Sequence, residues 1–284
     1  MMRKLTNKAL LCLLLLTALV AVNGHGYLSV PPSRNILAKD QYCPHCLNGG
    51  TVDDVSAKKT LRWPQGNHGL CGDSFYDTVP RDHEAGGTYY QKGLHTNYTQ
   101  GQIMDIEIVT TTNHNGRFGF RICKVSGGYN GAVENEEKGL TEECFDQHIL
   151  EQAKGSQAAG ERWFYTSPGD PVSYTYKMKY KLPDDLVCDG EESHCVLQWY
   201  WLTFNSCQTS DAPVKYTRAS QHMRDCGSTS NSSVSDSPYP EEFWNCADIS
   251  IQGSEISAST DIWSAHKLLM LCAMMIVSSL VLMD

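Results

Sequence analysis

Basic charge is scarce in this chain. Twenty-three lysines and arginines face 32 aspartates and glutamates, a formal net charge of −9. Setting aside a leader with three basic residues and a tail with one basic and two acidic residues leaves 19 basic against 30 acidic, a net −11. A field of that sign excludes charge-driven binding to nucleic acid or to an anionic membrane, and favours a neutral or cationic partner such as insoluble neutral polysaccharide. Internal repeats of 20–50 residues are absent, which excludes a solenoid or propeller. Long helical periodicity is sparse, which excludes a helical bundle. No apolar run reaches the roughly 20 residues that a membrane-spanning helix needs. Residues 268–283 come nearest, and no lysine or arginine follows them to fix an orientation.

The two ends read as processing signals. Arg3, Lys4 and Lys8 precede the apolar run 9–16, and Val22-Asn23-Gly24 offers a cleavage site, so residues 1–24 are expected to be a secretory leader. At the other end, Ser257-Ala258-Ser259, a spacer and the apolar stretch form the pattern of a glycosylphosphatidylinositol signal. The expected organisation is a leader (1–24), one domain (25–251), a linker with the attachment region (252–267, lipid at Ser257) and a removed tail (268–284). The body then lies at the outer face of the cell membrane, or is secreted if the anchor is cut. Asn97-Tyr98-Thr99 and Asn231-Ser232-Ser233 are glycosylation sequons, which suits export.

Ten cysteines remain outside leader and tail, an even number that implies five disulfides of undetermined pairing. Cys43-Pro-His-Cys46 reads as two structural cysteines with different partners rather than as a redox or zinc motif. Cleavage after Gly24 makes His25 the first residue, whose free amine and ring nitrogen can chelate one metal ion. A further imidazole would give three nitrogens, a set suited to copper.

The remaining signals are strands. Ile106, Ile108, Thr110 and Thr112 alternate with polar neighbours, and Asn115-Gly116 is the dipeptide of a type I′ hairpin. Arg117–Ile122 is the expected return strand, placing His114 at the hairpin tip. Residues 174–180, 196–202 and 243–251 are three more strands, 82–90 a loop, 142–154 a helical segment and 227–240 a Ser/Pro-rich surface loop. Many short strands separated by turns predict an all-β fold, an antiparallel β-sandwich of immunoglobulin/fibronectin type with long decorated loops and several disulfides.

Several segments then combine. His25-Gly26, Pro31-Pro32-Ser33-Arg34, Cys71-Gly72-Asp73 and Arg81-Asp82-His83-Glu84-Ala85-Gly86-Gly87 are followed by 113–123, Leu197-Gln198-Trp199 and Phe243-Trp244-Asn245-Cys246-Ala247-Asp248. In order and spacing, over residues 25–251, this set resembles the lytic polysaccharide monooxygenases, most of all auxiliary activity family fifteen. The resemblance implies a copper histidine brace: His25 supplies its amine and ring nitrogen, and His114 a second ring nitrogen. It places an aromatic residue at the axial position, here Phe243, or Trp244 if the register is shifted by one. Many members carry tyrosine there, so phenylalanine removes an oxygen from that side of the metal. Gln198 is the expected polar group beside the centre, ahead of Glu84. Tyr27 and Pro31 are expected on the flat substrate face, and His68 in a loop near it. His45, His83, His95, His148, His194 and His222 are expected to be ordinary surface or hydrogen-bonded histidines.

The implied activity is oxidative cleavage of β-1,4-linked chitin or cellulose by a monomer fed by an external electron donor. The same brace also serves a second reading, a non-catalytic cell-surface protein for copper uptake or storage.

Overall fold

The structure, a computed structural model, describes residues 25–38, 43–93, 95–217, 223–228 and 233–254. The expected leader, hydrophobic tail, Ser257, Asn231 and His222 lie outside the described residues. Among those described, no helix is long and apolar enough to cross a membrane.

Two sheets form the body. One has four strands in the order β1 (His25–Val30), β3 (Ile103–Thr112), β8 (Tyr174–Lys181) and β6 (Glu151–Gln152). The other runs β2 (Thr96–Thr99), β10 (Glu242–Gln252), β9 (Ser193–Leu202), β4 (Gly116–Ser126) and β5 (His148–Ile149), with β7 (Phe164–Thr166) also paired to β4. Pairing is antiparallel except between β2 and β10. Period-2 alternation sends Ile106, Ile108, Met178 and Tyr180 inward from the first sheet. They meet Phe118, Phe120, Trp199, Trp201, Phe243 and Ile249 from the second in one buried cluster. This is the expected β-sandwich, with four short helices in its loops: α1 (Arg34–Leu37), α2 (Val52–Val55), α3 (Ala132–Gly139) and α4 (Glu142–Phe145).

Three expectations are corrected. β3 and β4 do not pair as a hairpin; they belong to different sheets, and 113–115 is a crossing between them. Their apolar faces meet across the core instead of lying side by side. The helical segment expected over 142–154 shrinks to the single turn α4, followed by β5 and β6, while the longer α3 lies just before it. Cys43 and Cys46 bond to each other, three positions apart, rather than to separate partners. The other bridges are Cys71–Cys246, Cys123–Cys144, Cys188–Cys195 and Cys207–Cys226, making five.

The motif segments prove to be partners in space. Arg34, fully buried, donates two hydrogen bonds to the Asp248 carboxylate at 2.9 and 2.6 Å and one to Glu136 at 2.7 Å. Asn245 accepts from Leu28 N at 2.9 Å, which ties β1 to β10 across the core. Cys71–Cys246 adds a covalent link spanning 175 positions. Together these contacts fix the strand that begins at His25.

Candidate metal centre

His25 opens β1, and in the β1–β3 ladder it stands opposite Thr112. His114 is two residues further along the chain, in the crossing between sheets, so the pairing brings both histidines to one end of the sandwich. The crossing is locked from several sides. Asn115 N donates to Asn113 Oδ1 at 2.8 Å, and Trp201 Nε1 donates to Asn115 O at 2.8 Å. Asn113 N donates to Val172 O at 2.7 Å, and Phe204 N to His114 O at 3.2 Å. Asn115 and Gly116 both take positive φ, 57° and 109°, as the Asn-Gly dipeptide demands. A Cβ on Gly116 would lie 1.9 Å from Leu202 O, so the close approach of β4 to β9 also requires glycine there.

His114 Nδ1 lies 3.2 Å from Glu241 Oε2, and Asn205 Nδ2 donates to the same oxygen at 3.2 Å. Asn205 Nδ2 also lies 3.1 Å from His114 Nδ1. Because that amide donates to the Glu241 oxygen, an Nδ1–H directed at the carboxylate leaves Nε2 as the nitrogen a metal would use. A buried carboxylate, an oriented imidazole and a second histidine at the start of a strand therefore fit a copper ion of the brace type. Sequence reasoning passed over Glu241 and Asn205. Neither belongs to a motif, and both meet His114 only through the fold.

Phe243 is fully buried in β10, two residues after Glu241, and stacks on Trp201 with centroids 5.0 Å apart. A Cβ on Gly26 would lie 3.2 Å from the Trp201 ring and 3.5 Å from that of Trp199, so these two tryptophans underlie the strand that carries His25. Trp244, the alternative register, packs on the opposite face, stacked on His68 at 3.9 Å.

Gln198 sits on that outer face as well. Its Oε1 accepts from Arg121 Nε at 3.1 Å, and its Nε2 donates to Leu70 O at 2.8 Å. Its amide thus ties a loop to the sheet, whereas Glu241 and Asn205 are the polar groups beside His114. Glu84 is bound to Arg81, at 2.6 Å. Pro31 is buried and Tyr27 half-buried, so Pro31 offers nothing to a substrate. Two exposed apolar residues adjoin the segment leading to His114: Val172, 66 % exposed, whose carbonyl accepts from Asn113 N, and Tyr174, 44 % exposed, opposite Thr110.

Most remaining histidines are structural, as expected. His83 contacts Asp73 at 2.6 Å, His194 lies between Gly127 O and Glu136, and His95 stacks on Tyr129. His68 is covered by its stacking on Trp244, and burial lowers its pKa. His45 departs from the pattern. Its ring lies edge-on to that of His25, centroids 4.9 Å apart, and its pKa is lowered by burial and by His25.

A family model described as "lytic polysaccharide mono-oxygenase, cellulose-degrading" matches residues 25–249. The chain belongs to this family. In structure it is similar to the AA15 lytic polysaccharide monooxygenase from Thermobia domestica in the Cu(I) state, with TM-score 0.58 and 30 % identity over 80 % of this chain and 99 % of that one. In sequence it is 31 % identical over 136 residues to an AA13 family lytic polysaccharide monooxygenase of Aspergillus terreus. It is 29 % identical over 143 residues to a lytic polysaccharide monooxygenase of Emericella nidulans. These matches take in 44 % and 47 % of this chain but only 33 % and 43 % of the fungal proteins.

Proposed function

We propose that this chain is a copper-dependent monooxygenase that cleaves chitin or cellulose outside the cell. What supports the reading is the β1–β3 ladder, which sets His25 opposite Thr112, two residues before His114, together with the Glu241 oxygen 3.2 Å from His114 Nδ1. The groups that would hold the ion are the His25 amine and ring nitrogen and the His114 Nε2, with the buried Phe243 ring stacked on Trp201 in the core. The amine becomes available on cleavage after Gly24. Such an ion, when bound, brings one-electron activation of an oxygen co-substrate.

The protein's own residues do the rest. Glu241 fixes the His114 tautomer and strengthens its donor nitrogen. Phe243 and Trp201 keep the underside of the centre dry. Tyr174 and Val172 present an apolar surface on which a sugar ring can stack. An external donor supplies electrons. The Asn97 side chain is exposed on β2, which supports its use as a glycan acceptor. The composition of the tail supports a lipid anchor at Ser257.

The test is incubation of the processed, copper-loaded protein with crystalline chitin and with cellulose plus a reductant. The reading predicts oxidised oligosaccharides from at least one polymer. Tight copper binding with no such product from either would favour the uptake or storage role.

A further inference from the structure

Beside His25 stands another imidazole, that of His45. His25, Cys43, His45 and Cys46 each offer one ligand atom, all within 4.8 Å of one another. Because the two sulfurs are bonded to each other they carry no thiolate charge, and the donors left are the two rings. We propose that His45 donates a ring nitrogen to the metal held by His25, making a three-histidine centre. The inference rests on the reading of His25 as a ligand.

The surroundings of His45 are built to hold it there. Gly26 N donates to His45 O at 3.1 Å, so the residue after His25 grips the backbone of His45 itself. Asn35 Nδ2 donates to Pro44 O, and Trp244 N donates to Leu47 O at 3.1 Å. Within the loop, Cys46 N donates to Cys43 O at 3.2 Å.

The Cys43–Cys46 bridge closes a loop with a sequence separation of 3, against 175 for Cys71–Cys246. Stabilisation by a cross-link grows with the chain length it closes, so this bridge adds little to global stability. Its effect is local, confining the residue between the cysteines. Two nitrogens on one small ion stand about 2 Å from it and so at most ~4 Å from each other. The ligand atoms here lie within 4.8 Å of one another, close to that limit. Imidazole is also the ligand type that copper accepts most readily here.

The test uses protein beginning at His25. Histidine labelled with 15N and loaded with one equivalent of Cu(I), which is diamagnetic, reports which rings bind, without any mutation. Metal-induced shifts on His25, His114 and His45 are expected, and shifts on the first two alone would overturn the proposal. In parallel, Cu(II) affinity and EPR spectra are compared for wild type, His45→Ala, His25→Ala and His114→Ala, with the Cys43–Cys46 bond verified by mass. His45→Ala is expected to lose about 10-fold or more in affinity, the scale on which groups supporting a metal act, and to lose nitrogen hyperfine structure. If only His25→Ala and His114→Ala lose copper, the third ligand is refuted and the brace stands. If none of the three changes binding, the brace reading falls with it.

Discussion

Glu241 and Glu242 are neighbours with opposite duties. Glu241 reaches the His114 ring, so Glu241→Gln, which keeps a hydrogen-bond acceptor but removes the charge, is expected to weaken copper binding about 10-fold. A competition titration against a chelator of known affinity measures this. Glu242 points to the other face, where Trp63 Nε1 at 3.0 Å and the Tyr200 hydroxyl donate to it. Burial pushes its carboxyl up to about 7 despite those donors. A carboxyl raised on folding binds an extra proton in the native state between its unfolded and folded values. Its contribution is therefore complete at acid pH and is lost as pH rises through 7. Thermal melts should show wild type losing stability relative to Glu242→Gln between pH 4.5 and 7.5; parallel profiles would contradict the assignment. Arg34 is a third case. Arg34→Ala leaves the buried carboxylates of Asp248 and Glu136 without their guanidinium, an expected loss of about 3–5 kcal/mol in denaturant unfolding.

At the scale of elements, the crossing from β3 to β4 positions His114. Gly116→Ala adds a Cβ against the Leu202 carbonyl at a residue whose φ is 109°. Strain and overlap together are expected to cost about 2–4 kcal/mol and to displace His114, visible as a lower melting temperature and weaker copper binding. This element also marks how far the sequence could be read. The alternation of Ile106, Ile108, Phe118, Phe120 and Ile122 announced two strands and the correct inward faces. The Asn-Gly dipeptide announced positive φ, which the backbone adopts. Neither signal says whether the two inward faces lie side by side in one sheet or face each other across a core, since period 2 fixes a face and not a partner. The mutual bond of Cys43 and Cys46 was hidden for a similar reason: an even cysteine count constrains the number of bridges and not their pairing. Glu241 and Asn205 had no local pattern to reveal them.

On the scale of the whole molecule, the family motifs were legible because their residues hold one another. Pro31-Pro32-Ser33-Arg34 and Cys246-Ala247-Asp248 lie over two hundred positions apart, yet Arg34 grips Asp248 and Cys246 is bridged to Cys71. That scaffold seats the first strand, and the first strand seats His25. The acidic net charge suits a neutral polymer, and in the proposed function the exposed pair Val172 and Tyr174 is its apolar footing. Tyr174→Ala is expected to reduce retention on chitin or cellulose while leaving copper affinity unchanged, measured by polymer pull-down beside calorimetry. The most direct test of the account compares copper binding by two forms, one starting at His25 and one carrying a single additional residue before it. A free His25 amine predicts one tightly bound copper per chain in the first form and a marked loss of affinity in the second. Equal affinity in both, or no copper in either, would contradict the brace.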